Sequence, residues 1–414
     1  METTVNQADK SVSWMDALAR RLLLSALAGL SRGHLQIEEA FEPKESMAFG
    51  NPQSDWQADI LVRHPGFYRQ VLVSGSIGAA EAYIQGHWDS DDVTAVVRLF
   101  AANLPLLDTI EARFGWLTRP FNRLGHLFNR NTAEGSKRNI LAHYDLGNAM
   151  YQQFLDKEML YSSAIYPDEQ ATLAQAQIHK MQTICERLEL QPGQTLLEIG
   201  TGWGALAIYA AKHFGVKVTT TTISDAQYEY AKARVEAEGL SDSITLLKQD
   251  YRLLEGSYDR LVSIEMIEAV GHEYLPGFFA KLSSLLKSDG RMLLQAITIA
   301  DQRYDSYRKG VDFIQKYIFP GGCLPSVSEM TRQLSGKSDM VLWSLDDIGA
   351  DYAKTLLHWR ENFERALPEI RELGYGEDFI RMWRFYLCYC EGGFLERSTS
   401  TVHFVAVKPG YREA

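Results

Sequence analysis

Short apolar runs alternate with longer amphipathic stretches between residues 193 and 300 of the chain. Apolar or β-branched runs of about five to eight residues predict buried strands, and apolar positions three and four apart predict helices. The predicted strands are Thr195–Ile199, Val216–Thr222, Ile244–Lys248, Arg260–Ile264 and Arg291–Ile299, and the predicted helices are Ala205–Phe214, Ala226–Glu238 and Phe278–Leu286. This alternation predicts an α/β fold with a doubly wound, mostly parallel sheet that binds ligands at the carboxyl ends of its strands.

The chain before this region has a different pattern. One amphipathic helix is predicted over Met15–Leu30. A short strand around Ile60 precedes a helix from Pro65 to Val73 and, after a glycine turn, a second helix that ends near Gly86. We therefore predict a smaller N-terminal α+β domain over residues 1–125, a basic linker over 126–140 and a larger domain over 141–414.

The segment from Glu111 to Arg138 contrasts with the charge of the whole chain, which is −11 from 42 Lys and Arg against 53 Asp and Glu. It carries six cations and two acids, interleaved with Phe, Trp and Leu at roughly helical spacing. This pattern is typical of a basic amphipathic helix on an anionic membrane surface, and it fits equally a linker helix packed on its own protein. Because the chain as a whole is acidic, we expect no nucleic-acid partner.

No apolar run reaches the ~20 residues that a membrane-spanning helix needs. The longest candidate, Leu22–Leu30, follows a polar lead and lacks a convincing cleavage site, so we interpret it as one face of a helix and expect a cytoplasmic protein. The cysteines Cys185, Cys323, Cys388 and Cys390 are too few and too scattered for a disulfide framework or a four-thiolate zinc site. We predict no metal.

The loop from Glu198 to Ala205 reads EIGTGWGA. Its glycines allow a ligand to approach the backbone, and the helix that follows offers free N–H donors. The spacing also fits a dinucleotide fingerprint, and Asp225 keeps NAD as an alternative. However, the acid before the glycines repels a pyrophosphate and attracts the ammonium and sulfonium groups of S-adenosylmethionine. The second strand also ends in Thr221 to Ser224, where NAD enzymes carry an acid, so the loop favours S-adenosylmethionine.

Six ordered motifs carry a resemblance to a known family. They are His143 to Asn148, Leu160 to Ala164, Glu198 to Gly204, Ser263 to Glu268, Tyr317 to Pro325 and Gly349 to Tyr352. Together they resemble the cyclopropane-fatty-acyl-phospholipid synthase family, from about Ile60 to about Phe404. The resemblance implies a class I methyltransferase-like fold and transfer of the methyl group of S-adenosylmethionine to a cis double bond of a phospholipid acyl chain. It further implies a carbocation stabilised by aromatic rings, and proton removal by bicarbonate that closes a cyclopropane ring.

The resemblance implies a bicarbonate site at Ser163, Glu268, Gln295, Ile297 and Tyr352. Two of these depart from the family, which usually has cysteine in place of Ser163 and histidine in place of Gln295. A family histidine after Glu268 is also replaced, by Ala269. Serine and glutamine can donate hydrogen bonds to a small oxyanion, but glutamine cannot take up a proton as histidine does. The proton-removal step is therefore the one that these substitutions affect.

The predicted cofactor contacts combine the glycine loop with residues that the resemblance adds. They are Tyr161, Ser162, Glu198, Gly200, Gly202, Gly204, Thr222, Ile223, Gln227, Asp250, Tyr251 and Arg252. Gln227 lies on the first turn of a predicted helix, where a position on the solvent-exposed face is nearly as compatible with the sequence as a contact with the cofactor. Cys390 matches a family cysteine near the C terminus, and we interpret it as a thiol that lines the pocket because methyl transfer needs no covalent enzyme intermediate.

Several functional alternatives stay open at this point. Loss of a different proton would give a methyl-branched chain that is still unsaturated, and the altered residues around the proton acceptor motivate that outcome. A membrane- and cofactor-binding protein without turnover is a second alternative, and a nicotinamide oxidoreductase is a third. The resemblance also suggests a homodimer through the N-terminal domain, associated with the inner face of a phospholipid bilayer.

Overall fold

A computed structural model describes residues 12–107, 109 and 147–413 of the chain. The described residues divide into two compact units, which are treated separately below. The first unit combines the described residues up to 109 with Gly374–Glu396, and the second contains residues 147–373 and 397–413. The basic stretch from Glu111 to Arg138 and the motif that begins at His143 lie outside the described residues, apart from Gly147 and Asn148.

The first unit is built on a four-stranded sheet in the order β2-β1-β3-β4. Its strands are β1 (His34–Glu39), β2 (Ser46–Gly50), β3 (Gln57–Val62) and β4 (Trp88–Asp89), and its helices include α1 (Trp14–Leu27), α2 (Gly66–Ile84) and α3 (Val93–Ala102). Strand β1 pairs in parallel with β3 and antiparallel with β2. The predicted α+β character of this region is confirmed.

Helix α2 covers both helices that were predicted here. The glycine turn between them reduces to one residue, Gly75, with φ of 56° and ψ of −132° inside an otherwise helical stretch. The two halves approach closely at this kink, because a Cβ at Gly78 would lie 1.9 Å from the Gln70 carbonyl oxygen. Glycine at position 78 is therefore required by packing.

The helix Glu377–Leu395 also belongs to the first unit, although the sequence placed it within a 141–414 domain. Arg381 on this helix donates to the carbonyl oxygens of Tyr83 (2.6 Å) and Trp88 (3.0 Å). Thr94 of α3 donates to the Glu391 carboxylate at 3.2 Å. The sequence missed this arrangement because the partners are about 300 residues apart along the chain.

The second unit contains a seven-stranded sheet in the order β10-β11-β9-β8-β5-β6-β7. Its strands are β5 (Thr195–Ile199), β6 (Lys217–Thr222), β7 (Ile244–Lys248), β8 (Tyr258–Ile264), β9 (Leu286–Ile299), β10 (Val341–Asp347) and β11 (Thr399–Val407). Strands β5 to β9 pair in parallel, and β11 runs antiparallel between β9 and β10. The predicted doubly wound, mostly parallel sheet is confirmed, with β10 and β11 added.

Helices cover both faces of this sheet. The helices of this unit are α4 (Gly147–Phe154), α5 (Leu173–Arg187), α6 (Ala205–Phe214), α7 (Asp225–Ala237), α8 (Leu275–Ser284), α9 (Asp301–Tyr307), α10 (Val327–Lys337), α11 (Gly349–Arg365) and α12 (Leu367–Glu372). Neighbouring residues of β5 point to opposite faces, so Leu196 packs in one core with Leu206 while Leu197 packs in the other with Phe278. Across the described part of the chain, no helix is both long and apolar enough to cross a bilayer.

Candidate active site

The glycine loop connects β5 to α6 at the carboxyl end of the sheet. Gly200, Gly202 and Gly204 have φ of 103°, 53° and 90°, a region that favours glycine. The Gly200 and Thr201 amides both donate to the Thr221 carbonyl of β6 at 3.1 Å, which fixes the loop against the neighbouring strand. A Cβ at Gly202 would meet no heavy atom of the described residues within 4 Å. The loop therefore presents open backbone, as the predicted cofactor requires.

Glu198 lies on β5 directly below this loop and is buried. The Thr220 hydroxyl donates to its carboxyl at 2.5 Å, and the hydroxyls of Thr201 and Thr220 are 2.7 Å apart. Burial raises the pKa of Glu198 to about 8, although the Thr220 bond opposes that rise. Glu198 thus supports the loop through two threonines, and a direct contact with the cofactor stays a prediction.

The ends of β6 and β7 lie beside the loop in the sheet order. Thr222 donates to the Gln227 amide oxygen at 2.8 Å, and both side chains are buried. The alternative of a solvated face for Gln227 is therefore wrong. Asp225, which kept NAD open, is exposed and forms a 2.5 Å ion pair with Lys248. Ile223 lies between these positions in the same turn and is half-buried.

The segment after β7 is held by Asp250. Arg252 binds its two carboxylate oxygens at 2.9 and 2.6 Å, and the ring of Tyr251 packs edge-on against Phe278 with centroids 5.4 Å apart. Burial favours the neutral acid, but the hydrogen bonds from Arg252 outweigh it and leave the pKa of Asp250 below its ordinary value. Asp250 is thus an ionised acceptor beside an aromatic ring, which suits the hydroxyl or amino groups of a nucleoside.

An aromatic cluster surrounds Tyr161, which precedes the predicted site residues Ser162 and Ser163. The Tyr161 ring lies 5.2 Å from Tyr151 and 5.3 Å from Trp359, centroid to centroid. Further rings in contact are Phe154, Trp203, Phe319 and Tyr352. Because Trp203 belongs to the glycine loop, the cluster joins the cofactor loop to the segment that carries Ser163. The rings are tilted or edge-on to one another, and the face of an aromatic ring stabilises a nearby cation.

A carboxylate to which the sequence assigned no role in the predicted anion site lies at its centre. Glu265 follows β8 directly, and its Oε1 accepts hydrogen bonds from the Ser163 amide (2.9 Å) and the Gln295 side chain (2.8 Å). Its Oε2 accepts from the Tyr352 hydroxyl at 2.8 Å. Burial raises the pKa of Glu265, while these hydrogen bonds and the charge of Lys180 oppose the rise.

Glu268 lies one turn further, on a short 3-10 helix over Ile267–Ala269. Its Oε1 accepts from the Ile297 amide at 2.5 Å. Its Oε2 is buried and has no hydrogen-bond partner among the described residues. Burial, followed by the nearby negative charge of Glu265, raises the pKa of Glu268 to about 8. Two enclosed carboxyl groups therefore share the site, and burial favours the protonated form of the second.

The predicted bicarbonate residues are thus brought together, and their donors face two carboxyl groups of the chain. The Ser163 amide, Gln295 and Tyr352 donate to Glu265, and the Ile297 amide donates to Glu268. The Ser163 hydroxyl donates to the neighbouring Ala164 carbonyl at 2.9 Å. Because the expected donors already hold carboxylates of the chain, the arrangement does not fit an added bicarbonate.

The orientation of the Gln295 amide is fixed by a hydrogen bond with His403. Arg187 lies 2.7 Å from His403 Nδ1, and a guanidinium only donates, so Nδ1 accepts and Nε2 carries the hydrogen. His403 Nε2 lies 2.9 Å from Gln295 Oε1, which leaves the Gln295 amide nitrogen to face Glu265. Burial, with the charge of Arg187, lowers the pKa of His403 well below its ordinary value and keeps the imidazole neutral.

Ser162 is held by a buried lysine that the sequence did not single out. Lys180 of α5 donates to the Ser162 hydroxyl at 2.7 Å, and its side chain is fully buried. Burial lowers the pKa of Lys180 to about 8, although Glu265 and Asp156 oppose that shift. Glu265 could be found in the sequence as an acid after a buried strand, whereas Lys180 and His403 lie in ordinary helix and strand patterns that give no signal of a site.

Cys390 lies on the Glu377–Leu395 helix of the first unit, and its role in the pocket stays a prediction.

The sheet order, the glycine loop after β5 and the acceptors after β6 and β7 define an α/β methyltransferase that uses S-adenosylmethionine. A family model for mycolic acid cyclopropane synthetase matches residues 131–404. The chain belongs to this family, which includes the cyclopropane-fatty-acyl-phospholipid synthases. It is a lipid methyltransferase of that family.

Two relatives and one solved structure illustrate the relationship. The cyclopropane-fatty-acyl-phospholipid synthase of Escherichia coli K12 is 39% identical over 348 residues, covering 82% of this chain and 85% of the relative. The tuberculostearic acid methyltransferase UfaA1 of Mycobacterium tuberculosis H37Rv is 32% identical over 402 residues, covering 95% and 92%. The mycolic acid cyclopropane synthase CmaA1, crystallised with SAH and CTAB, aligns with a TM-score of 0.62 at 30% identity over 66% of this chain and 98% of that one.

Proposed function

We propose that this enzyme transfers the methyl group of S-adenosylmethionine to a cis double bond in an unsaturated phospholipid acyl chain and closes a cyclopropane ring. The observation that carries the proposal is the aromatic cluster around Tyr161, placed between the glycine loop and a pair of enclosed carboxyl groups. These features match the two needs of the reaction, which are a stabilised cation and an acceptor for one proton.

The cation forms because an alkene is a weak nucleophile. When a methyl group joins one carbon of the double bond, the neighbouring carbon is left with a positive charge. The rings of Tyr161 and Trp359, with centroids 5.3 Å apart, offer their negative faces to such a charge and exclude water that would trap it. Trp203 fixes this surface to the cofactor loop, since its ring nitrogen donates to Asn148 at 2.8 Å.

S-adenosylmethionine supplies an electrophilic methyl group when it is bound. The residues that would hold it are those of the open glycine loop, with Thr222, Gln227 and Asp250 at the ends of β6 and β7. The neighbouring CmaA1 structure, whose crystals contain SAH, supports this assignment. Ring closure rather than branching is proposed because the E. coli relative at 39% identity is a cyclopropane-forming enzyme.

The test uses purified protein, vesicles of unsaturated phospholipid and S-adenosylmethionine carrying a trideuterated methyl group. Ring closure removes one hydrogen from the transferred carbon, so the product should keep two deuterium atoms and resist hydrogenation. The matched control is Gly202→Val, which should bind the cofactor poorly and give no product. Acyl chains without any gain in mass would contradict the proposal.

A second candidate is a methyl-branched, unsaturated product. The observation that favours it is the occupation of the predicted bicarbonate donors by Glu265, which changes the position of the proton acceptor. The relative that covers 95% of this chain is also named as a methyltransferase of tuberculostearic acid. In the same assay this product would keep all three deuterium atoms and a double bond that hydrogenation removes.

A further inference from the structure

We propose that Glu265 is the catalytic base of this enzyme and takes the place of an external anion. The inference rests on the proposed methyl transfer to an alkene, and it adds the residue that removes the proton. It stands on the position of the Glu265 side chain, on its three hydrogen-bond donors and on the second carboxyl group beside it.

The backbone at Glu265 directs this side chain into the site. Its φ is 48°, a left-handed conformation that is uncommon for residues other than glycine, asparagine and aspartate. The Glu265 amide donates to the Gln295 carbonyl at 2.8 Å, which holds the turn at the end of β8. An unusual conformation persists when surrounding contacts fix it, and such residues cluster at functional sites.

The hydrogen bonds leave Glu265 with a basic lone pair. A carboxylate oxygen accepts about two hydrogen bonds, and Oε1 already accepts from the Ser163 amide and from Gln295. Oε2 accepts only from the Tyr352 hydroxyl among the described residues, so it keeps one acceptor position. That position lies next to Tyr352, whose ring contacts Trp359 of the aromatic cluster with centroids 6.0 Å apart.

The neighbouring charges favour Glu265 as the ionised member of the pair. The titratable groups that face it are Glu268, Lys180, Tyr352 and, through Gln295, the neutral His403. Glu265 has three donors and the charge of Lys180, whereas Glu268 has the Ile297 amide and a pKa of about 8. A negative charge on one carboxyl group disfavours ionisation of the other, so the donors assign the charge to Glu265 and the proton to Glu268.

The proposed step balances without another reactant. A C–H bond of the transferred methyl group breaks, its electron pair forms the bond to the cationic carbon, and the proton moves to Glu265 Oε2. Release of that proton to solvent returns the carboxylate. Gln295 does not need to take up a proton in this scheme, because its role is to donate to the anion. The replacement of a family histidine by Gln295 then follows from the chemistry of its partner.

The first test replaces Glu265 by glutamine, with the exposed Glu255→Gln as the matched control. Loss of a positioned base typically lowers turnover about 10²–10⁴-fold, and we expect a loss in that range for E265Q. Cofactor affinity, measured by titration with S-adenosylhomocysteine, should be unchanged in both variants and reports that they are folded. E265Q with the turnover of Glu255→Gln would overturn the proposal.

The second test restores the anion from solution. Glu265→Gly removes the carboxylate and suits the left-handed backbone, leaving the three donors without their acceptor. Formate, acetate or bicarbonate should raise the thermal stability of this variant and reactivate it, with no effect on the wild type or on Glu255→Gln. Wild-type turnover should also be unchanged in buffer freed of carbon dioxide. Loss of wild-type turnover in that buffer, or a Glu265→Gly protein that no small carboxylate stabilises, would overturn the proposal.

The two proposals fail in different ways. A wild type that adds no methyl group to any acyl chain refutes the proposed function, and with it the role of Glu265 as the base of that reaction. The stability measurement on Glu265→Gly still decides whether the three donors bind an anion. An active wild type with an equally active E265Q refutes the base alone.

Discussion

Gln295 is buried in the centre of the sheet and joins Glu265 to His403, so its replacement by leucine is a sharp test of this network. Leucine has a similar volume and cannot form hydrogen bonds. The change removes the donation to Glu265 at 2.8 Å, the donation to the Ser163 carbonyl at 3.2 Å and the acceptance from His403 at 2.9 Å.

Each buried polar group that loses its partner costs about 1–3 kcal/mol. The Ser163 carbonyl and the His403 ring nitrogen lose theirs, whereas Glu265 keeps two of its three donors, so we expect a loss of roughly 4 kcal/mol in the free energy of unfolding. For a unit of this size, that corresponds to a Tm lower by roughly 8 °C or more. Catalysis should change as well. Glu265 loses a donor that favours its charged form, so its pKa should rise and the acid limb of the pH–rate profile should move to higher pH.

Calorimetry and urea titration measure the first effect, and turnover against pH measures the second. Gln191→Leu, on an exposed turn of the same unit, is the matched control and should change neither. Gln295→Leu with wild-type stability and an unmoved acid limb would refute the network. A loss of stability without movement of the acid limb would show that Gln295 only packs the sheet.

Three further predictions follow from individual residues. The pKa of Glu268 is about 8 in the folded protein, well above its ordinary value, so the folded state binds this proton more tightly than the unfolded state does. The free energy of unfolding should therefore fall as the pH rises from about 5 to 8, and Glu268→Gln should flatten that fall in urea titrations. Gly202→Ala should weaken S-adenosylhomocysteine binding at least tenfold in calorimetric titration, because the added Cβ would occupy the open space beside the loop backbone where the cofactor binds. Gly193→Ala is the control, with φ of 85° and equally open space, and should leave binding unchanged. Arg119→Glu with Arg123→Glu should reduce binding to anionic vesicles in sedimentation and leave binding to neutral vesicles unaltered; equal loss on both would contradict an electrostatic contact.

The parallel half of the large sheet was predictable because each element has a local signal. Strand Thr195–Ile199 and helix Ala205–Phe214 have the predicted bounds, since an apolar run, a glycine loop and an apolar helix face follow one another. Strand Val341–Asp347 was missed although it alternates between exposed and half-buried residues, because it occupies a sheet edge with little burial. The Glu377–Leu395 helix was assigned to the larger domain because nothing along the chain shows which sheet a helix joins.

The sequence predicted which residue types form the site, but it did not predict which donor binds which acceptor. Ser163, Gln295 and Tyr352 come from a loop, a strand and a helix, and the sequence shows that all three can donate. It does not show which acceptor they face, because that depends on the left-handed turn at Glu265.

In the structure, all three donors bind the same carboxylate, that of Glu265. A fixed carboxylate at this position requires neighbours that donate and do not compete for its proton, and glutamine satisfies that condition better than histidine. Arg187 and His403 reinforce it by holding the Gln295 oxygen away from Glu265. Of the replacements that affect the proton-removal step, the one at Gln295 is therefore the one that the proposed base explains, because Ser163 reaches Glu265 through its backbone amide.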